Sequence, residues 1–141
     1  WEHAYRAGSE TPLYKSKGND GTLQGTDKAS CANPDPNATK VGWYDNDGQL
    51  THPAKQRAPN AWGLYDMAGN VWEWCHDRYT SNLGTSAAVD PAGPETGDLR
   101  VLRGGSWFFS PAYMRAAQRD PEPVAVRSNQ IGFRCARTLP N

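Results

Sequence analysis

Glycine and proline are the feature that most limits what this chain can fold into. Fourteen Gly and eleven Pro make up 25 of the 141 residues, and neither residue type favours the interior of a helix or strand. Six Trp and six Tyr argue against disorder, because each buried ring of this size removes roughly 150–250 Å² from water. The sequence therefore predicts a loop-rich fold held together by a few large aromatic anchors.

Charge and hydropathy exclude two classes of partner. Fifteen basic and fifteen acidic residues cancel, so no basic footprint for nucleic acid is present. The mean hydropathy is −0.81, and no apolar run is long enough for insertion into a membrane. The length fits a single domain.

The three cysteines, Cys31, Cys75 and Cys135, allow at most one disulfide. Cys31 lies in a polar segment, whereas Cys75 and Cys135 lie in strand-like apolar segments. We expect these last two to be small core residues, since free cysteine is often buried. The sequence leaves open whether they pair with each other.

The first half of the chain alternates short elements with long polar segments. Residues 1–7 are expected to end a helix that closes at Gly8, residues 9–40 to form a loop, and residues 41–44 to form a short strand. Residues 71–75 alternate so that Trp72 and Trp74 share one face, and Glu73 lies on the other among apolar neighbours. A buried carboxylate needs a cation, a metal or hydrogen-bond donors. We expect Trp72 to pack in the core.

The second half contains two further strand patterns. Residues 100–107 read as a strand that ends in a kink at Gly104-Gly105, where glycine permits positive φ or close backbone approach. Residues 108–130 are predicted to be irregular. Residues 131–137 alternate, with Ile131, Phe133 and Cys135 on one face.

Four segments in this order resemble formylglycine-generating-enzyme-like, or sulfatase-modifying-factor, domains. They are Trp1-Glu2-His3-Ala4, the run from Asn60 to Trp74 (NAWGLYDMAGNVWEW), Arg103-Gly104-Gly105-Ser106-Trp107 and Ile131-Gly132-Phe133-Arg134-Cys135. The resemblance implies an α+β, loop-rich, C-type-lectin-like fold with few short strands and little helix. It further implies that residues 1–141 form one domain without a counterpart of the family's amino-terminal part.

The resemblance also implies a structural calcium ion. The matching positions are Asp66, Gly69, Val71 and Glu73, which would offer two carboxylates and two backbone carbonyls. Calcium prefers six to eight such hard oxygen ligands. In the alternative interpretation, Asp66 caps the turn and Glu73 pairs with an arginine.

The family's catalytic chemistry is not expected here. The enzyme binds copper through two cysteines, because soft Cu(I) needs thiolates, and Phe109 and Met114 stand at those positions in this chain. We therefore expect no formylglycine generation.

Residues 102–137 resemble the variable region of diversity-generating-retroelement target proteins, which implies a binding module for a protein or small-molecule ligand. Mixed aromatic and small polar residues suit such a surface. Two alternatives stay open: a metal-dependent oxidative enzyme of the same superfamily, with His3, His52 and His76 as the available imidazoles, and an accessory structural domain. The predicted ligand-binding residues are Trp107, Phe108, Phe109, Ser110, Ala112, Tyr113, Gln118, Asp120, Glu122, Ser128, Asn129 and Gln130.

Overall fold

The computed structural model describes residues 1–10, 13, 38–45, 48, 50–84, 91 and 93–137. Helix α1 spans Glu2–Arg6 and ends at Ala7, whose left-handed backbone (φ 44°) precedes Gly8, also at positive φ. This confirms the predicted helix end. Helix α2 spans Ala38–Val41, within residues predicted as loop and strand. Neither helix has the length and apolar character needed to cross a membrane, and this holds for every helix in the described ranges.

A two-stranded parallel sheet brings distant parts of the chain into backbone contact. It pairs β1, Gly42–Trp43, with β2, Ala68–Gly69. A Cβ atom on Gly42 would lie 2.3 Å from the Ala68 carbonyl oxygen, and one on Gly69 would lie 2.1 Å from that of Trp43. Both positions therefore require glycine, because any larger residue would push the two segments apart.

A four-stranded mixed sheet forms the centre of the second half. Its strands are β3, Trp72–Arg78; β4, Leu99–Arg103; β5, Asp120–Pro123; and β6, Ile131–Phe133, in the order β5-β4-β3-β6. Strand β3 runs antiparallel to β4 and parallel to β6. Each predicted strand has a counterpart in the structure, but β1 is shorter than residues 41–44, β4 ends before residue 107, and β6 is shorter than residues 131–137. Together with the short helices, this sheet confirms the predicted α+β, loop-rich class.

Strand β5 lies where irregular structure was predicted. Pro121 and Pro123 gave residues 120–123 the character of a loop, yet β5 is an edge strand. Proline is tolerated at an edge because its missing N–H can face away from the ladder. A 3₁₀ turn at Pro111–Met114 also interrupts the segment predicted as irregular.

The main core lies between α1, α2, β2 and the 3₁₀ turn. Tyr5, Val41, Tyr44, Met67 and Met114 are all at most 1% exposed. The Tyr5 hydroxyl donates to the Met114 carbonyl at 2.7 Å, so α1 is joined to residues more than 100 positions later. This contact links the start of the chain to the segment that follows Gly104-Gly105.

The cysteines follow the prediction only in part. Cys75 and Cys135 are both free thiols, so they do not pair. Cys75 is half-buried, and burial raises the pKa of its thiol. Cys135 lies beyond the end of β6 and is exposed, so its assignment to the core was wrong. Cys31 lies outside the described residues.

Trp72→Ala should destabilise the fold severely. Trp72 is 2% exposed, and truncating a buried Trp costs about 3–5 kcal/mol because a cavity remains. Denaturant unfolding measures the loss. The matched control is Trp62→Ala, since Trp62 is 53% exposed and should lose about 1 kcal/mol or less. Equal losses for the two variants would contradict the assignment of Trp72 to the core.

Candidate functional site

A network of aromatic rings grows outward from the buried Trp72. The Trp72 ring meets the rings of Phe109 and Tyr113 edge-on, with centroids 5.7 and 6.0 Å apart. Phe109 and Tyr113 also contact each other at 5.0 Å. Edge-to-face contacts at these distances stabilise beyond the area they bury. The network therefore fixes residues 109–113 on the end of β3.

Phe108 is the exposed member of this network. Its ring lies 5.6 Å from that of Trp107 and 5.7 Å from that of Phe109, yet 51% of the residue is exposed. Trp107 itself is only 7% exposed, and its indole N–H donates to the Asn129 carbonyl. The amide of Trp72 donates to the Gln130 carbonyl at 2.7 Å. These contacts bring residues 107–113 and 128–130 together as one surface, which we call the aromatic patch.

The remaining predicted ligand-binding residues lie elsewhere. Gln118 lines a cleft of about 190 Å³ with Arg6, Glu10, Arg115 and Ala117. Asp120 and Glu122 belong to β5, at the far edge of the sheet from β6. The structure therefore divides the predicted set into the aromatic patch and a separate group at residues 118–122.

Ser106 and the two glycines before it shape the turn into the aromatic patch. Gly104 and Gly105 have φ values of 95° and 76°, as the predicted kink requires. The Ser106 side chain is fully buried and accepts from the amide of Phe108 at 3.3 Å. This turn determines where Trp107 and Phe108 emerge.

The predicted calcium ligands surround a tight turn between residues 66 and 73. Asp66, Gly69 and Asn70 all have positive φ, at 54°, 70° and 65°. One carboxylate oxygen of Asp66 accepts from the Lys55 amide at 2.8 Å. The other, Oδ1, is buried and has no hydrogen-bond partner among the residues that the structure describes. A buried oxygen of this kind fits a hard cation.

Glu73 is already supplied with partners. It is 5% exposed, and its carboxylate accepts from the guanidinium of Arg134, the shortest contact being 2.7 Å. The indole N–H of Trp1 donates to Oε2 at 2.6 Å. For Glu73, the geometry therefore matches the alternative interpretation of pairing with an arginine, whereas Asp66 keeps an oxygen available to an ion.

Three residues make contacts around this turn whose partners the sequence did not identify. Arg134 also donates to the carbonyl oxygens of Tyr65 and Asp66, at 2.9 and 3.2 Å. Asn70 exchanges two hydrogen bonds with the backbone of His52. Trp1 reaches Glu73 across 72 positions. The sequence indicated that a buried Glu73 needs a partner, with an arginine as one alternative, but it gave no signal for the contact between Asn70 and His52.

The positions that match the copper cysteines have packing roles. Met114 is fully buried in the core, and Phe109 belongs to the ring network. The three histidines lie apart: His3 contacts the Trp62 ring, His52 stacks on the Trp43 ring at 3.6 Å, and His76 is exposed on β3. In the described part of the chain, no three His, Cys, Asp or Glu side chains converge as a metal-binding group.

Solved structures share this architecture. Treponema denticola variable protein 1 superposes with a TM-score of 0.76 at 36% identity, covering 94% of this chain and 43% of that protein. PvdO from Pseudomonas aeruginosa superposes with a TM-score of 0.71 at 28% identity, covering 94% and 47% of the two chains. The C-type-lectin-like fold implied by the sequence motifs is thereby confirmed.

Sequence comparison leads to the same group of proteins. The formylglycine-generating enzyme of Thermomonospora curvata is 35% identical over 144 aligned positions, covering 96% of this chain and 46% of that enzyme. The chain thus spans less than half the length of this relative. The family model described as "Sulfatase-modifying factor enzyme 1-like domain" matches residues 1–139. The chain therefore belongs to the sulfatase-modifying factor enzyme 1-like family, the group that includes formylglycine-generating enzymes.

Proposed function

We propose that this chain is a non-catalytic, ligand-binding module that presents a recognition surface on residues 107–130, with calcium stabilising its scaffold. The observation that carries the proposal is the half-exposed Phe108, held on a ring network that ends at the buried Trp72. Large aromatic residues fixed in this way are typical binding hot spots, since little conformational entropy is lost when they meet a ligand.

The neighbours of Phe108 support a binding role. Ser128 and Asn129 are exposed, and Gln130 is partly exposed beside them. Their amide and hydroxyl groups supply adaptable hydrogen bonding next to a rigid aromatic anchor. The similarity to Treponema denticola variable protein 1 favours the same interpretation. Phe109 and Met114, which stand at the matching copper positions, carry no thiol, and both pack against other side chains.

Phe108→Ala should weaken ligand binding by about 30-fold, which corresponds to a hot-spot loss of about 2 kcal/mol. The test applies the labelled chain to arrays of peptides and glycans and then titrates each ligand found. Leu83→Ala is the matched control, because Leu83 is 69% exposed but lies outside the aromatic patch. Ligands that bind both variants equally, or arrays without any binding above background, would contradict the proposal.

Calcium would act at the turn between residues 66 and 73. Asp66 Oδ1 is buried without a partner in the described ranges, and the carbonyls of Gly69 and Val71 are the other oxygens that the family resemblance assigns. Within this proposal, Glu73 contributes its negative charge, which it already shares with Arg134. A bound Ca²⁺ would satisfy Asp66 and stabilise this turn, in which three residues have positive φ.

Calcium should therefore raise the melting temperature of chelator-treated protein, and Asp66→Asn should abolish most of that rise. A ligand that binds only the folded state stabilises by about 2.7 kcal/mol at 100 times its dissociation constant. Differential scanning calorimetry with and without Ca²⁺ measures the effect. Asp98→Asn is the control, since Asp98 is exposed. An identical melting temperature in chelator and in saturating Ca²⁺ would refute the site.

A further inference from the structure

One face of the four-stranded sheet carries exposed aromatic side chains beyond the aromatic patch. Trp74 pairs with Phe133 in the parallel register of β3 and β6, so both side chains lie on the same face, the face of Trp72. Phe133 is 77% exposed and Trp74 is partly exposed. Neither ring meets another aromatic ring among the residues that the structure places. Among the described residues, most of the Phe133 side chain and part of the Trp74 side chain are therefore left uncovered.

The opposite edge of this face is acidic. Asp120 and Glu122 alternate along β5, so both carboxylates lie on one face. Asp120 pairs with Leu102, which in turn pairs with Trp74. One row therefore crosses the sheet from Phe133 through Trp74 and Leu102 to Asp120. Leu102 is 2% exposed, so the centre of the row is buried. The residues at its two ends, Phe133 and Asp120, are at least partly exposed.

Neither carboxylate forms an ion pair with a residue that the structure describes. No lysine, arginine or histidine within the described ranges lies within 4 Å of either one. Arg100 is the cross-strand neighbour of Glu122, but its guanidinium donates to the His76 carbonyl. Arg119, next to Asp120, donates to the Thr80 carbonyl. Within the described ranges, the acidic end of the row therefore carries negative charge that no ion pair neutralises, and a cationic group of a partner is suited to it.

The electrostatics of Asp120 agree with this geometry. Burial, and then the neighbouring charge of Glu122, raise the pKa of the Asp120 carboxyl. A half-buried carboxylate beside a second one is favourable when a cationic group approaches, because attraction then replaces repulsion.

The size of the face indicates what kind of partner can reach both ends. Adjacent strands are about 4.8 Å apart, so three spacings place Phe133 about 14 Å from Asp120. This distance equals about four residues of extended chain at about 3.4 Å each. It is longer than a single amino-acid side chain, whereas a peptide segment spans it.

We propose that this face, defined by Trp74, Phe133, Asp120 and Glu122, docks an extended basic peptide segment of a partner protein. A lysine or arginine would pair with Asp120 and Glu122, and an apolar or guanidinium side chain about four residues away would lie on Trp74 and Phe133. Aromatic faces attract both kinds of side chain. This inference rests on the proposed binding function and names the chemistry of its ligand.

The test uses a blocked peptide with an arginine and a phenylalanine four positions apart and serines elsewhere. A second peptide has glutamate in place of the arginine. Titration followed by ¹H–¹⁵N spectra should shift the Trp74 indole signal, assigned from the Trp74→Phe spectrum, and the amides of residues 120–122 and 131–133. The glutamate peptide should bind at least tenfold more weakly.

Charge-neutral variants separate specific docking from general attraction. Asp120→Asn combined with Glu122→Gln keeps the shape of both side chains and should weaken binding of the arginine peptide at least tenfold. Glu10→Gln combined with Glu95→Gln removes two exposed carboxylates elsewhere and should leave binding unchanged. Unaltered spectra of the free variants establish that they fold. Equal binding by both double variants, or shifts that avoid the named residues, would overturn the inference.

The result of the peptide titration can be told apart from the result of the Phe108→Ala test of the proposed function. A glycan or acidic ligand that binds the chain and is lost with Phe108→Ala, together with no effect of the arginine peptide, would support the recognition surface and reject the basic partner. A peptide that binds through Asp120 and Glu122 but is insensitive to Phe108→Ala would support this face and reject residues 107–113 as the main surface.

Discussion

The buried carboxylate of Glu73 is the group on which the rest of the structure depends. It lies on β3, the strand between β4 and β6, and removing it from water requires strong partners. Trp1 and Arg134 supply them from opposite ends of the chain. Because Arg134 also donates to the Tyr65 and Asp66 carbonyls, one charge pair joins the amino-terminal helix, the central strand and the turn before it. A fold with so little regular structure depends on such long-range contacts to hold its segments in place.

Side chains alternate along β3, so the two faces of the strand have different roles. Glu73 points toward α1, whereas Trp72 and Trp74 lie on the other face. Trp72 supports the rings of Phe109 and Tyr113, and Trp74 remains partly exposed beside β6. The outer residues of the face opposite Glu73 can therefore differ without disturbing the ion pair of Glu73 and Arg134.

Short stretches of sequence predicted the elements whose conformation is determined by neighbouring residues. Strand β3 followed from the alternation around Trp72, and the kink after β4 followed from Gly104-Gly105. Strand β5 was missed because Pro121 and Pro123 signal a loop unless the strand is known to lie at an edge. The need of Glu73 for a partner was evident, but the identity of Arg134 was not, since 61 positions separate them. The exposure of Cys135 likewise depends on how early β6 ends.

The same arginine limits what a calcium ion would contribute. Arg134 already places a positive charge against Glu73 and the Asp66 carbonyl, so an ion at the turn would share those oxygens with a fixed cation. The group that gains most is Asp66 Oδ1, which is buried without a partner in the described ranges. Within the proposed function, the ion therefore stabilises the turn from residue 66 to residue 70, while Arg134 neutralises Glu73. Strand β3, which supports the aromatic patch, is then held by the charge of Arg134, and the turn that connects β2 to β3 is held by the bound ion.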